Sequence, residues 1–419
     1  MKKLSLIILM SLLVISLYSF VGSAEKGKLT MLLSRGGSGE TLAQSAEKFT
    51  EETGIEIEVL FFPMDELFTK EALALSQGMP TPDIISVNET AFVKMLNYLE
   101  PLKLDKEKIN SFMPVMIESF RWPRGEGPYR IVPVRMGGDV IMYRQDVFEE
   151  EGIDPASIKT WEDFLSIAKK LTKPTERQWG YVQAFSPHAY LVTQWINIVR
   201  SYGVDLFNSD ITKAEFNTEN GVRATKVLVE LVNEASPPGV LNYDYGNQIE
   251  AMQTGMVVLS MVWTPRFLSI NSPDFPHHGE FKVLPHFPIG KGSTGEEGTS
   301  MVYGWGFGIN KNSENKDLAL KYLNFVTSKE EQLRLATEFA NSPTVSDVYK
   351  NPVYLSSIPE APQMEKALGN AENYPLLHEK DAEILDAIGL ELQKAMLKEK
   401  TVEEALASAE IRVNEIIAE

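Results

Sequence analysis

Aromatic rings and ion-pairing side chains at the ends of apolar runs carry the chemistry suggested by this 419-residue sequence. Tryptophan stands at 122, 161, 179, 195, 263 and 305. An indole offers a flat apolar face and one N–H, which suits the C–H face of a sugar ring while charged and amide groups take its hydroxyls. Trp263 and Trp305 each end or interrupt a strand-like run beside Pro or Gly, where a ring can stand in a cleft. Trp161 follows a helix cap and reads as structural, and core packing competes with ligand stacking for every tryptophan. A second focus is the stretch 129–148, YRIVPVRMGGDVIMYRQDVF, in which Arg135, Gly137, Gly138 and Asp139 separate two apolar runs, 131–134 and 140–143. Adjacent glycines there suit a bend or a close approach to ligand. The stretch reads either as a hairpin or bulge in one sheet, or as a crossover between two lobes with Arg135 and Asp139 facing the gap.

Catalytic and metal chemistry finds little support. Residues 290–295, GKGSTG, match G-x-G-x-x-G, but Pro288 precedes them and Glu296, Glu297 and Gly298 follow, so the strand before and helix after that a phosphate site requires are missing. Residues 36–40 resemble the nucleophile elbow G-x-S-x-G with Glu40 in place of the last glycine, and five histidines leave few candidates for a base. His277, His278 and His286 lie among Pro and Gly, and adjacent histidines in an extended segment point to opposite faces. No pair of carboxylates is marked as facing across a cleft, as glycoside hydrolysis needs. The reading is therefore of a chain with no catalytic residues, no metal site and no cofactor.

Composition bounds the rest. With 43% hydrophobic and 23% charged residues the chain is globular, and its length calls for two domains. Lys2 and Lys3, a mainly apolar run 4–21 and then Gly22, Ser23 and Ala24 have the form of a cleaved signal peptide over residues 1–24. There is no cysteine, which excludes disulfides, thiol catalysis and a lipidated N-terminal cysteine. Loss of the two signal lysines moves the formal charge from -18 to -20, a balance that argues against nucleic acid and anionic membrane surfaces.

The elements that must position these residues follow from periodicity. Strands are expected at 28–34, 55–61 and 84–87, with helices between them, the first burying Leu42, Ala46, Phe49 and Thr53 and stopped by Gly54. That order is the pattern of a parallel sheet with helices on its faces, where ligands bind in loops after strands. Those loops hold Arg35 to Ser38 and Asn88, Glu89 and Thr90. Thr160 caps a helix striped by Phe164, Ile167, Ala168 and Leu171. Aromatic-rich segments follow at 179–185 and 195–199, then a helix at 222–232. Residues 255–263 form a buried strand that delivers Trp263 and Arg266 to its edge, and 303–310, YGWGFGIN, carry Tyr303 and Trp305 into another helix. A capping box at Thr401 and Glu404 opens the last helix.

The ordered segments FTEETGIEIEV, GMPTPDIISVN, PLKLD, YRIVPV with VIMYRQDVFEEEGID and TWEDFLSIAKKL, TGMVVLSMVW, YGWGFGINKNSENKDLALKYLNFVTSKEEQ and TVEEALASAEIRVNEII span nearly all of the mature chain. In that order they resemble family 1 of the extracellular solute-binding proteins of ABC transporters, the maltose-binding type. The resemblance implies a two-lobed α/β periplasmic binding protein fold of type II, each lobe a mostly parallel sheet flanked by helices with the ligand cleft between. It implies an N-terminal lobe of residues 25–134 plus 307–350 and a C-terminal lobe of 136–305 plus 351–419. The stretch 129–148 becomes the first crossing, with its glycines supplying the bend, and residues 304–306 the second. By the same resemblance the protein is a monomeric periplasmic receptor that closes on a carbohydrate, an oligosaccharide above all, and delivers it to a membrane permease without catalysis. Trp263 and Trp305 would stack on the sugar, and Asn88, Glu89, Arg35, Arg135 and Asp139 would hydrogen-bond it; Ser38, Trp179, Trp195, Arg266 and Tyr303 complete the candidate set. Arg35, Arg135 and Arg266 are not general family features and suggest a second ligand class, an acidic sugar or glycerol phosphate, because guanidinium pairs well with carboxylate and phosphate. The alternative of another class is a secreted polysaccharide-degrading enzyme.

Overall fold

The computed structural model describes residues 27–419 apart from Thr90, Arg124, Pro187, Glu296, Leu376, Leu377 and Glu379. The expected signal peptide, residues 1–24, lies outside the described residues. The chain divides into two compact units, one running to Ser86 and taking in Ile309–Val326, the other comprising Val87–Gly308 and Thr327–Glu419.

In the first unit β1 (Lys28–Ser34) is paired in parallel with β2 (Glu56–Phe62) on one side and, through Met31 and Ile84, with β3 (Ile84–Asn88) on the other. The connecting helices Gly37–Thr53 and Met64–Ser76 are those that periodicity predicts. Leu42, Ala46 and Phe49 are buried at the spacing of one helix face, and Gly54 ends the helix in the left-handed region at φ 75°, its N–H donating to Thr50. Asp83 ties this unit together. One of its carboxylate oxygens accepts from the Thr30 N–H and hydroxyl at 2.8 and 2.9 Å, and the other from Ser313 at 2.6 Å and Asn315 at 3.1 Å. The returning helix Lys316–Val326 sets Tyr322 edge-on to Phe49, 5.3 Å between ring centres.

The second unit is built on β4 (Ile131–Arg144), one uninterrupted strand of 14 residues where two shorter runs were expected. Its glycines do not bend it. A Cβ on Gly137 would fall inside the Trp263 indole, and one on Gly138 would meet a Leu368 methyl, so the missing side chains make room for neighbours. β4 runs antiparallel to β6 (Val257–Trp263), β7 (Phe281–Val283) and β8 (Met301–Ile309). β5 (Trp179–Val182) lies parallel to β6 and β9 (Glu372–Asn373) parallel to β8. This sheet is mixed because a single long strand serves as partner to three others. Around it, Thr160 and Asp163 form the two halves of a capping box on helix Trp161–Lys170, and Thr401 and Glu404 do the same for Val402–Ala418.

β4 changes partners along its length. Residues 131–138 pair with β8, and 139–143 pair with β6. Other backbone groups of the first half are met by side chains: Thr344 donates to the Pro133 carbonyl at 2.8 Å, and Gln332 and Asn341 to that of Val134 at 3.1 and 3.2 Å. The Met136 N–H donates to the Ser342 carbonyl at 3.2 Å. Gln332 is fully buried and also accepts from the Thr344 N–H at 2.8 Å. Replacing it by an apolar residue strands a buried donor, so Gln332→Leu is expected to lower unfolding stability by about 2–3 kcal/mol. Denaturant titration checks this; an unchanged midpoint would show that these bonds do not support β4.

Candidate functional site

Cross-strand register collects the site. Residues directly opposite in an antiparallel pair share a face of the sheet. Asp139 lies opposite Trp263, Gly137 opposite Tyr303, and Arg135 opposite Trp305. Because positions 135, 137 and 139 alternate with the buried side chains of the other face, one patch holds Arg135, Asp139, Trp263, Tyr303 and Trp305. The 3₁₀ turn Thr264–Arg266 after β6 adds Arg266, and Glu89 joins through its carboxylate, which accepts from the Gly304 N–H.

The indole of Trp263 rests on the backbone of Gly137, half-buried, and its Nε1–H has no hydrogen-bond partner among the described residues. The Arg135 guanidinium lies over the same indole, 5.8 Å from the ring centre. The Tyr245 hydroxyl accepts from the Trp263 backbone N–H at 3.1 Å, and Arg266 lies over the Tyr245 ring at 5.6 Å. Tyr190 extends this aromatic wall, its ring 5.9 Å from that of Tyr245, and Tyr374 stands 6.1 Å from Tyr303. Trp305 is only 7% exposed.

Burial controls the charges. Asp139 is 2% exposed, and desolvation pushes its carboxyl up to about 6 although Asn197, at 2.7 Å, and Gln194 both hydrogen-bond to it. Asn197 in turn accepts from the Met301 N–H at 2.8 Å, which fixes Asp139 against β8. Glu89 is pushed up to about 8 by burial, against the opposing effects of its own and the Gly304 backbone N–H. Arg135 forms no ion pair with a described residue; burial, followed by the positive charge of Arg266, draws its guanidinium down to about 10, still cationic at neutral pH. Arg135 and Asp139 therefore do not neutralise one another in a pair.

Other sequence candidates lie elsewhere. Trp195 is fully buried, donates to the Thr225 hydroxyl at 2.8 Å and packs edge-on against Phe216; this is a core position. Trp179 opens β5 and lines a surface depression with Pro237, Leu241 and Met396. Arg35 is exposed just after β1 and Ser38 lies in the first turn of Gly37–Thr53, both in the first unit. Asn88 ends β3 and accepts from the Ala91 N–H at 3.1 Å. Tyr190, Gln194 and Asn197 were not singled out from the sequence, yet their i, i+4, i+7 spacing on helix His188–Ser201 is the signal of one polar face. Tyr245 was also missed; it follows the capping residue Asp244 at a helix start. Residues 290–295 form a loop, and no group of three or more His, Asp or Glu among the described residues is arranged to hold a metal.

The raised Glu89 carboxyl makes a pH prediction. Its folded value lies above the ordinary carboxylate value of 4.5, so the native state holds a proton that the unfolded chain has released. The stability this contributes is complete below 4.5 and is lost as pH rises through about 8. Glu89→Gln mimics the protonated form, so its melting temperature should gain on that of the wild type between pH 5 and pH 9. Parallel melting curves across that range would overturn the assignment.

Comparison with known proteins fits this geometry. A family profile described as bacterial extracellular solute-binding protein matches residues 34–333. A probable amino-acid ABC transporter periplasmic-binding protein of Sinorhizobium fredii is 25% identical over 394 residues, covering 92% of this chain and 88% of that one. An arabinooligosaccharide-binding protein of Halalkalibacterium halodurans is 24% identical over 307 residues, 70% of this chain and 65% of its own length. Among solved structures, maltose-bound MalE3 of T. maritima superposes with a TM-score of 0.79 at 26% identity, covering 93% of this chain and 100% of that one. The fold is thus the two-lobed α/β fold of type II periplasmic binding proteins. With the profile spanning most of its length, the chain belongs to the bacterial extracellular solute-binding protein family.

Proposed function

We propose that this protein is the solute receptor of an ABC importer, binding a carbohydrate outside the cytoplasmic membrane and passing it to membrane permease subunits. The observation that carries this reading is the Trp263 indole seated on Gly137, with its N–H unpartnered and Asp139 held beside it by Asn197 and Gln194. A flat aromatic face flanked by a buried carboxylate and amides meets the two needs of a sugar ring: an apolar C–H face covered and hydroxyls hydrogen-bonded. Arabinooligosaccharide, erythritol or threitol, mannitol, maltose and ribitol occur among the names of relatives and neighbours, beside one relative named for amino acids, and support the carbohydrate reading.

The protein acts without catalysis, as a monomer, after removal of residues 1–24. Its N-terminal lobe is residues 25–134 plus 307–350 and its C-terminal lobe 136–305 plus 351–419, the crossings falling in β4 and at Gly304 to Gly306. Ligand drives closure through tighter binding to the closed form.

A thermal-shift panel of arabinooligosaccharides, maltodextrins, ribitol and mannitol tests the reading, because a ligand that binds only the folded state raises the melting temperature. By calorimetry, Trp263→Ala should weaken the sugar found in this way at least about tenfold, or about 1.4 kcal/mol, while Trp179→Ala leaves its affinity unchanged. Equal affinity of wild type and Trp263→Ala would remove this ring from the site. Cleaved products after overnight incubation with a glycan panel would replace a receptor by an enzyme.

A further inference from the structure

Arg135 is the group in the site that the reading above leaves unused. It is 6% exposed, its Nε is buried without a hydrogen-bond partner, and it makes no ion pair with any described residue. A charge removed from water in this way costs several kcal/mol unless something compensates it. Yet the charge that acts on it is a second cation, Arg266, which makes no ion pair with a described residue either. The two guanidiniums flank one aromatic corner: Arg135 lies over Trp263, Arg266 over Tyr245, and the Tyr245 hydroxyl is bonded to the Trp263 backbone. A guanidinium held near an aromatic ring still has N–H donors to offer, and its planar fork binds carboxylate in bidentate fashion.

Resting on the carbohydrate reading and narrowing it, we propose that the bound sugar carries a carboxylate, as a uronic acid does, received between Arg135 and Arg266 at the edge of the Trp263 ring. Charge balance selects a single negative charge. With Glu89 protonated and Asp139 ionised, the two arginines leave the patch one positive charge in excess; a carboxylate cancels it, whereas a phosphate dianion overshoots. The sugar ring lies on the indole, and its C6 carboxylate reaches the arginines. No covalent step is involved.

The test is a set of matched pairs differing only at C6, followed by calorimetry and melting temperature: D-galacturonate with D-galactose, D-glucuronate with D-glucose, and digalacturonate with galactobiose, with glycerol 3-phosphate alongside. At least one acid should bind a hundredfold or more tighter than its neutral twin, and the preference should shrink as salt is raised. Arg135→Gln should remove most of that preference. Arg266→Gln, at an exposed position where folding is not at risk, should reduce it by about tenfold. Equal binding of an acid and its neutral twin, with Arg266→Gln altering neither, overturns the carboxylate subsite and leaves the sugar receptor standing. Preference for glycerol 3-phosphate over every uronate overturns the carboxylate in favour of phosphate. Absence of binding by every compound in these pairs and in the neutral panel overturns both readings together.

Discussion

The second unit depends on the backbone hydrogen bonding of a single strand. β4 must satisfy the N–H and C=O groups of 14 residues while its partners change halfway along. Over its first half one edge is taken by β8 and remaining buried polar groups are met by Thr344, Gln332, Asn341 and Ser342; over its second half β6 and β7 take over. Buried backbone groups without partners are too costly to tolerate, so each of these contributors is constrained by the strand it serves. The candidate side chains fall at the changeover, where Arg135, Gly137 and Asp139 lie next to the ends of β6 and β8.

The same geometry explains the electrostatic character of the site. Side chains on a central strand are deeply buried, and burial moves acids and bases in opposite directions: Asp139 and Glu89 hold their protons more tightly and Arg135 less tightly than in water. Amide groups, not cations, support Asp139, so it is poised as an acceptor for hydroxyls without being locked in an ion pair. Arg135 and Arg266 are left with aromatic faces as their partners. Arg135 Nε, Trp263 Nε1 and Gln194 Oε1 are buried without hydrogen-bond partners among the described residues, so the region keeps polar capacity that its own side chains do not use.

Most elements were legible in the residues because their causes are local. Gly54 closing its helix, the reciprocal bonds of Thr160 with Asp163 and of Thr401 with Glu404, and the apolar strand that ends at Trp263 each depend on residues a few positions apart. The two glycines of β4 show where this stops. Adjacent glycines permit a bend, yet here they make space for Trp263 and Leu368, residues more than a hundred positions away. Trp195 lies in the middle of a helix and Trp263 at the end of a strand; packing makes the first a core indole bonded to Thr225 and the second a half-buried ring over Gly137.

From sequence alone came the segment order, the capped helices, the strands and the family they spell out, since propensity, periodicity and capping act over a turn or two. The seven candidates gathered around β4 were also named by residue, and the position of Trp263 and Trp305 beside Pro or Gly at strand-like runs set them apart from the other tryptophans. Tertiary structure decided which side chains share a face, why Gly137 must lack a side chain, that Arg135 and Asp139 do not pair, and that Tyr190, Gln194, Asn197 and Tyr245 complete the wall. These are matters of register and burial, set by strands brought together from distant parts of the chain, and no local pattern encodes them.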